Sequence, residues 1–403
     1  MAMISVEEAH NIIQSMSIEW GTEEMPLHKS VGRVLAVDIF ADRDFPPFDR
    51  VTMDGVAVSY AQYEVGKRVF EIQDTQYAGE PAKTLQEDFG GLEIMTGAML
   101  SHGCDMVIRY EDIAFDIRNG KRFATILDEN GFRWKNIHKQ SSDSLQGSKL
   151  LEKGTLINSS IISILASVGT SKVKVKKLPK VAIVSTGDEL VDLTDKPLLH
   201  QIRKSNVITM QASLTQKSIK SKLFHLSDDK SLIKESILNI LTGFDVVLLS
   251  GGVSKGKADF LPEVLDEIGV DKKFHCVSQR PGKPFWYGVY KNSIPVFAFP
   301  GNPISTIMCF RVYFLEWLVR QMNTSPLVQK AILSRDIDFR PDLGYFLQVR
   351  TITNEAGQLI ADPVAGNGSG DIANLAASDA FVYLPQGQET YRAGTAYDWY
   401  PFI

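Results

Sequence analysis

Val181-Ala182-Ile183-Val184-Ser185-Thr186-Gly187-Asp188-Glu189 is an apolar run that breaks into a small polar turn. Four consecutive apolar residues suit a strand buried on both faces, and the Ser-Thr-Gly turn after it exposes hydroxyls and backbone N–H groups. The pattern recurs downstream. Asp245-Val246-Val247-Leu248-Leu249 runs into Ser250-Gly251-Gly252-Val253-Ser254, and Val296-Phe297-Ala298-Phe299 runs into Pro300-Gly301-Asn302-Pro303. Another block, Pro281-Gly282-Lys283-Pro284, lies between those two. Helical patterns alternate with the runs at Ser205 to Gln216, Ser231 to Leu241 and Phe260 to Ile268. Asn302 and Pro303 form an N-cap and first-residue pair for a last helix running to about Gln321. Lys222 to Leu226 reads as one more strand. Alternating β and α elements predict a doubly wound, mostly parallel α/β sheet. The strand ends of such a sheet line one edge, where ligands bind.

On the N-terminal side, Ser5-Val6-Glu7-Glu8 has the spacing of a capping box, with Val6, Ala9, Ile12 and Ile13 on one helical face. Leu27 to Asp44 reads as a loop and a strand, and Asp44-Phe45-Pro46-Pro47-Phe48-Asp49 as rigid extended chain. Val51 to Ile137 alternates short apolar runs with glycine-rich turns, which predicts a β-rich insert. Leu150 to Gly169 returns to a helical pattern, with Ile161, Leu165 and Val168 on one face and Gly169 as a C-cap. Lys172 to Lys176 alternates with period two and reads as a half-buried strand with solvated lysines. After Pro326 the pattern turns β again and predicts a small C-terminal β-barrel.

A chain of 403 residues implies several domains. Net charge of −5 argues against general nucleic-acid binding. Cys104, Cys276 and Cys309 give neither a disulfide framework nor zinc spacing, and the seven histidines show no metal-ligand spacing. No apolar stretch has the ~18 residues of a membrane span, and the N-terminus has no signal-peptide pattern, so a cytoplasmic, reduced setting is expected.

Each turn offers definite chemistry beside a plainer role. Asp188 and Glu189 supply hard oxygens that suit Mg²⁺ shared with substrate phosphates, or else they are first-turn acids of a helix. Ser250, Gly251, Gly252 and Ser254, with Asp259 following, suit an anion-binding turn with a carboxylate, but in neither Walker nor dinucleotide-fingerprint order. Arg280 offers a bidentate fork and Lys283 a point charge for an oxyanion, unless the turn is an ordinary surface hairpin. Asp228 and Asp229 precede a helix and suit caps.

In order and spacing these motifs resemble the MoeA-type molybdopterin molybdenumtransferase family, which includes the C-terminal domain of gephyrin. The resemblance also rests on Asp44-Phe45-Pro46-Pro47-Phe48-Asp49-Arg50-Val51-Thr52-Met53-Asp54-Gly55, Ile94-Met95-Thr96-Gly97-Ala98, Gly103-Cys104-Asp105 and Glu111-Asp112. It implies a discontinuous linker domain at 1–44 and 138–178, a β-rich insert at 45–137, an α/β substrate-binding domain at 179–325 and a C-terminal β-barrel at 326–403. It implies Mg²⁺-dependent insertion of molybdate into adenylylated molybdopterin, with release of AMP. It also implies a homodimer with a composite active site, and as partners a molybdopterin adenylyltransferase and enzymes that accept the molybdenum cofactor. Carried over by motif, Asp54, Thr96, Glu189, Asp228 and Asp259 are the catalytic set, with Glu189 and Asp259 toward the metal. Ser185, Thr186, Gly187, Asp188, Ser250, Gly251, Gly252, Ser254, Arg280, Lys283, Pro300 and Pro303 would bind substrate. Ser369 of a barrel loop and Arg350 of a barrel strand join them. Departures from the family pattern are Cys276, where many members carry Lys, Arg280, where many carry Lys, Ser141-Ser142-Asp143, where Gly-Glu-Asp is frequent, and Lys204, where an acidic or amide residue is common. The same residues also fit a pterin-binding carrier or scaffold without the chemistry, or an enzyme for tungstate.

Overall fold

The computed structural model of the chain describes residues 3–253, 259–322 and 329–402. The first helix, α1 (Val6–Gln14), starts with the expected capping box: Ser5 Oγ accepts from the Glu8 N–H, and the Glu8 carboxylate accepts from the Ser5 N–H. The chain divides into two compact units, one of Met1–Met25, Gly32–Ala36 and Lys174–Ile403 and the other of Pro26–Val31 and Val37–Val173.

The smaller unit is built on β1 (Gly55–Val58), β2 (Val69–Gln76), β3 (Gly90–Ile94), β4 (Met106–Arg109), β5 (Ile113–Arg118) and β6 (Lys121–Ile126). They form one six-stranded sheet in the order β4-β1-β3-β2-β6-β5. All neighbours are antiparallel except β2 and β3. Period-two alternation splits its apolar residues between two cores: Val56, Val58, Met106 and Ile108 on one face, Ala57, Leu92, Ile94 and Val107 on the other. The helical pattern from Leu150 is corrected here. Lys149–Leu151 is a strand, and the helix α2 spans only Ser159–Ser167. Asn158 sets its start, accepting from the Ile161 N–H at 3.0 Å, and Leu165 is its buried residue. Gly169 closes the helix with φ +73. In the strand β7 (Lys172–Lys176), Val173 and Val175 are buried while Lys172 and Lys174 face outward, the solvated-face reading.

In the larger unit the α/β sheet contains β8 (Val181–Thr186), followed by the short strands β9 (Leu190–Val191) and β10 (Ile202–Arg203) and helix α3 (Ser205–Gln216). Next come β11 (Ser221–Leu226), α4 (Lys230–Gly243), β12 (Val246–Ser250), α5 (Leu261–Glu267) and β13 (Val270–His275). After β14 (Gln279–Arg280) come β15 (Trp286–Tyr290) and β16 (Ile294–Phe299). The sheet order is β11-β8-β12-β16-β15-β13. The β11, β8, β12 and β16 strands run parallel, and β15 and β13 close one side antiparallel. Continuous apolar runs follow from helices on both faces: Val181, Ile183, Leu248 and Phe297 point to one core, Ala182, Val184, Leu249 and Ala298 to the other.

The last helix of this sheet is continuous but not uniform. It runs as α6 (Pro303–Cys309), a π-helical stretch Phe310–Leu315 and α7 (Glu316–Gln321). Its apolar side joins the first core, where Phe297 and Trp317 pack with ring centroids 5.6 Å apart. The C-terminal strands β17 (Lys330–Leu333), β18 (Gly344–Thr353), β19 (Leu359–Pro363), β20 (Ala380–Leu384) and β21 (Ala396–Pro401) close on themselves in the order β18-β19-β17-β21-β20-β18. This is the expected barrel. The short β14 adds to it, Arg280 pairing with Tyr345 in parallel.

Candidate functional site

In the parallel register Ser185 lies beside Ser250, and Ser250 beside Phe299. The three polar turns that follow these strands therefore emerge side by side at one sheet edge. They enclose a cavity of about 250 Å³, with Ser185, Thr186 and Glu189, Ser250 and Gly251, and Gly301 to Pro303 in its lining. The remaining wall is Leu190 with Ile202 to Val207, the end of β10 and the start of α3. Two backbone bonds brace this wall: the Ile202 N–H donates to the Glu189 carbonyl at 2.9 Å and the Lys204 N–H to the Val191 carbonyl at 3.1 Å.

Glycine is required where the turns crowd each other. Gly252 has φ +68, and a Cβ there would sit 2.9 Å from Thr186 Oγ1 and 2.8 Å from Leu261 Cδ1. Gly187 has φ +126, and its missing side chain leaves the space that the Glu189 carboxylate occupies.

The cavity is rich in hydroxyls. Ser185 Oγ lies 3.0 Å from His225 Nδ1 and 3.3 Å from the Phe224 carbonyl. Asn206 Nδ2 donates to Ser250 Oγ at 3.1 Å and to the Gly301 carbonyl at 2.7 Å, tying α3 to two of the turns. Thr186 is only 4% exposed, yet its hydroxyl has no hydrogen-bond partner among the described residues. A buried hydroxyl left alone is costly, and this one is packed against the Gly251 and Gly252 turn beside the cavity. Glu189 is the carboxylate among the described lining residues, and no donor among them engages it. His225 is held below its ordinary pKa, first by burial and then by the Lys204 charge.

The other expected acidic residues are placed differently. The Asp228 N–H donates to Asp188 Oδ1 at 3.3 Å, so these two neighbour each other beside the cavity rather than in its lining. Asp229 caps α4, accepting from the Ser231 and Leu232 N–H groups at 2.9 Å. Asp259 is half-buried just before α5 and is not in the lining, and Ser254 lies outside the described residues. Among the described residues no three His, Cys, Asp or Glu side chains group as a metal cluster.

Arg280 and Lys283 are both exposed, and neither lines the cavity. Arg280 lies over the Phe339 ring of the barrel region at 5.9 Å. The turn between them is held from inside: Gln279 Nε2 donates to the Gly282 carbonyl at 2.9 Å, and the Tyr313 hydroxyl donates to Gln279 Oε1 at 2.5 Å. Pro303 lines the cavity, whereas the Pro300 carbonyl is engaged by the Thr306 hydroxyl at 2.5 Å. Arg350 sits on β18 opposite Asp362, away from the cavity lining. Asn302 is not the expected side-chain cap. Its Nδ2 donates instead to Ser369 Oγ at 2.8 Å, which brings Ser369 of the barrel loop to the cavity rim.

In the smaller unit Asp54 and Thr96 meet each other. The Thr96 N–H donates to Asp54 Oδ1 at 2.6 Å, and this bond holds the Asp54 carboxyl below the usual carboxylate range. Sequence reasoning missed Asn206 as a cavity group and His225 as the neighbour of Ser185, and it noted Lys204 only as a departure. The polar Ser205-Asn206 pair opening an otherwise apolar-faced helix was the available signal.

Fold and site together define a multidomain α/β protein with a polar cavity at the carboxyl edge of a doubly wound sheet. Family models match the chain in sequence: MoeA N-terminal region (domain I and II) over residues 4–169, probable molybdopterin binding domain over 182–320, and MoeA C-terminal region (domain IV) over 330–402. A molybdopterin molybdenumtransferase of Synechocystis is 40% identical over 99% of this chain and 100% of its own length. One from Bacillus subtilis is 30% identical over 97% of this chain and 92% of its own. The crystal structure of a molybdopterin biosynthesis MoeA protein from Pyrococcus horikosii superposes with a TM-score of 0.82 at 30% identity, covering 100% of both chains. The chain belongs to the molybdopterin molybdenumtransferase family, transferases of molybdenum cofactor biosynthesis.

Proposed function

We propose that the protein inserts molybdate into adenylylated molybdopterin with the help of Mg²⁺, releasing AMP. The single observation that carries this reading is the convergence of three glycine-bearing turns on a hydroxyl-lined cavity where, among the described residues, the Glu189 carboxylate is unengaged and the Thr186 hydroxyl unpartnered. Such an arrangement suits a phosphate-bearing substrate, because backbone N–H groups and hydroxyls can approach anionic oxygens closely.

The donor set also fits Mg²⁺, which takes hard oxygens and binds through one or two carboxylates plus substrate phosphates. Glu189 would hold it from the cavity wall, with Asp259 assigned to it by the family resemblance. When bound, the cation neutralises charge on the phosphoric anhydride as that bond is cleaved. The chain's own contribution is positioning. Ser185, Thr186 and Ser250 offer hydroxyls to phosphate oxygens, and Asn206 holds the turns at fixed separation. Asp54, whose carboxylate the Thr96 amide keeps ionised, belongs to a composite site completed by the partner subunit of a homodimer. A molybdopterin adenylyltransferase would supply the substrate, and cofactor-accepting enzymes would take the product. Among the described residues no helix is long and apolar enough to cross a membrane.

The test is to mix the purified chain with adenylylated molybdopterin, Mg²⁺ and molybdate and follow AMP. Wild-type protein is expected to release AMP only with Mg²⁺ present. Glu189→Gln should lower the rate by roughly a hundredfold, the scale of one electrostatic group in an active site. Asp259→Ala should fold and fail to release AMP. Tight binding of the adenylylated substrate with no metal-dependent AMP release would instead identify a carrier, and a preference for tungstate over molybdate would change the oxyanion.

A further inference from the structure

Two cations, Lys204 and Arg203, are among the described residues that line the cavity. Lys204 lines it with a side chain only 14% exposed, while Asp192, which pairs with its Nζ at 2.9 Å, is 70% exposed. A carboxylate that is mostly in water offsets little of the cost of taking an ammonium out of water. The ion pair therefore does not by itself explain why the lysine lies along the cavity. Lys204 also occupies the N-cap position of the 12-residue helix α3 and gives it no side-chain cap. The first residues of that helix, Ser205, Asn206 and Val207, line the same cavity, so uncapped N–H groups, the positive end of the helix dipole and the lysine share one wall. Thr186, whose buried hydroxyl has no partner among the described residues, lines the same cavity. Arg203, the other cation in the lining, is engaged elsewhere, donating to the Asp195 carbonyl at 3.1 Å.

We propose that Lys204 is the oxyanion-binding cation of this cavity, holding a tetrahedral oxyanion of the substrate at the start of α3, and that Asp192 is its counterion when the cavity is empty. The inference rests on the reading of the cavity as an anionic-substrate site, and names the residue that sets its charge. The oxyanion is either the phosphate of the adenylylated substrate or molybdate, both tetrahedral and both negatively charged. Glu189 in the same cavity would repel an anion, so Lys204 and Glu189 give it two poles, one for the bare oxyanion and one for a metal-bridged oxygen.

The experiment uses the full-length protein and calorimetric titration with AMP and, separately, with sodium molybdate, each with and without Mg²⁺. Lys204→Met keeps the stem and removes the charge. It should weaken whichever probe the lysine holds by about tenfold or more, the scale of one charge-assisted hydrogen bond. Loss for AMP identifies phosphate as the oxyanion, and loss for molybdate identifies the metal oxyanion. Lys204→Arg should restore most of the affinity. Asp192→Asn should bind as tightly as wild type or more tightly, because a competing counterion is gone. Unchanged binding of both probes by Lys204→Met, or of neither probe by wild type, overturns the proposal. So does an Asp192→Asn protein that loses affinity as Lys204→Met does, since the pair would then be structural. Thermal melts establish that each variant is folded. Wild-type protein that releases no AMP while its anion binding depends on Lys204 would sink the proposed reaction and leave this inference standing. Normal turnover with Lys204-independent binding would do the reverse.

Discussion

Thr186 is where stability and function separate most cleanly. Its hydroxyl is buried beside the cavity without a partner among the described residues. Leaving such a group unsatisfied costs about 1–3 kcal/mol, whereas an apolar group of the same shape costs nothing of the kind. Thr186→Val should therefore leave the empty protein as stable as wild type, or about 1 kcal/mol more stable, in chemical denaturation. The same change should weaken substrate binding, measured as a raised KM for AMP release. A variant that lost stability and activity in step would show the hydroxyl to be structural. His225 supplies a second residue-level test. Its pKa lies below 6.5 because burial disfavours the imidazolium and Lys204 adds a like charge. Lys204→Met should raise the His225 value toward 6.5 in an NMR titration. The sign for stability follows. The unfolded chain binds the proton more readily, so the contribution of this histidine is complete above pH 6.5 and declines as pH falls through the window below it. An unmoved titration in Lys204→Met would mean that burial alone sets the shift.

At the scale of elements, the join between α6 and the barrel loop is held by one side-chain bond, from Asn302 Nδ2 to Ser369 Oγ at 2.8 Å, with the Ile304 N–H donating to the Ser369 carbonyl at 3.2 Å. Asn302→Ala removes the first bond and keeps the second. It should cost about 1 kcal/mol of stability, the net value of a typical hydrogen bond. Because Asn302 also lines the cavity, KM should rise more than kcat falls; an equal fall of kcat at constant KM would place Asn302 in the chemistry instead. Strands and their glycine turns were legible in the sequence because a strand buried on both faces leaves an unbroken apolar run, and Val181–Val184 and Val246–Leu249 are such runs. Three of the four polar turns met at one edge, as the parallel register requires. What sequence could not show was how side chains from separate elements are shared out. Asn302 has the composition of a cap, but its amide is drawn to Ser369, 67 residues away. Asn206 reaches Ser250 across 44 residues, and His225 reaches Ser185 across 40. No local pattern encodes such pairs, because they arise from the order of strands in the sheet. The placement of the basic turn at Arg280 and Lys283 was equally hidden: β14 pairs with the barrel strand β18, and neither side chain lines the cavity.

At the scale of the whole molecule, the expected functional residues fall in both compact units: Asp54 and Thr96 in the one of 26–31 and 37–173, and Glu189, Ser250 and Lys204 in the other. The proposed homodimer makes a specific demand on this division. If each active site takes Asp54 from one subunit and Glu189 from its partner, two inactive variants can repair each other. In a mixed dimer of Asp54→Asn and Glu189→Gln subunits, one site inherits both substitutions and the other inherits neither. If both residues serve the same subunit's site, every site in the mixed dimer carries one lesion and nothing is regained. The variants are to be mixed in equal amounts, allowed to exchange subunits, and assayed for AMP release. Random pairing makes half of the dimers mixed, each with one intact site of two, so activity should rise to about a quarter of wild type. Light scattering on the same samples should give a mass near twice the 44.8 kDa of the chain. A dimeric mixture that stays as inactive as its components would place the whole site within one subunit, and a monomeric mass would remove the composite site altogether.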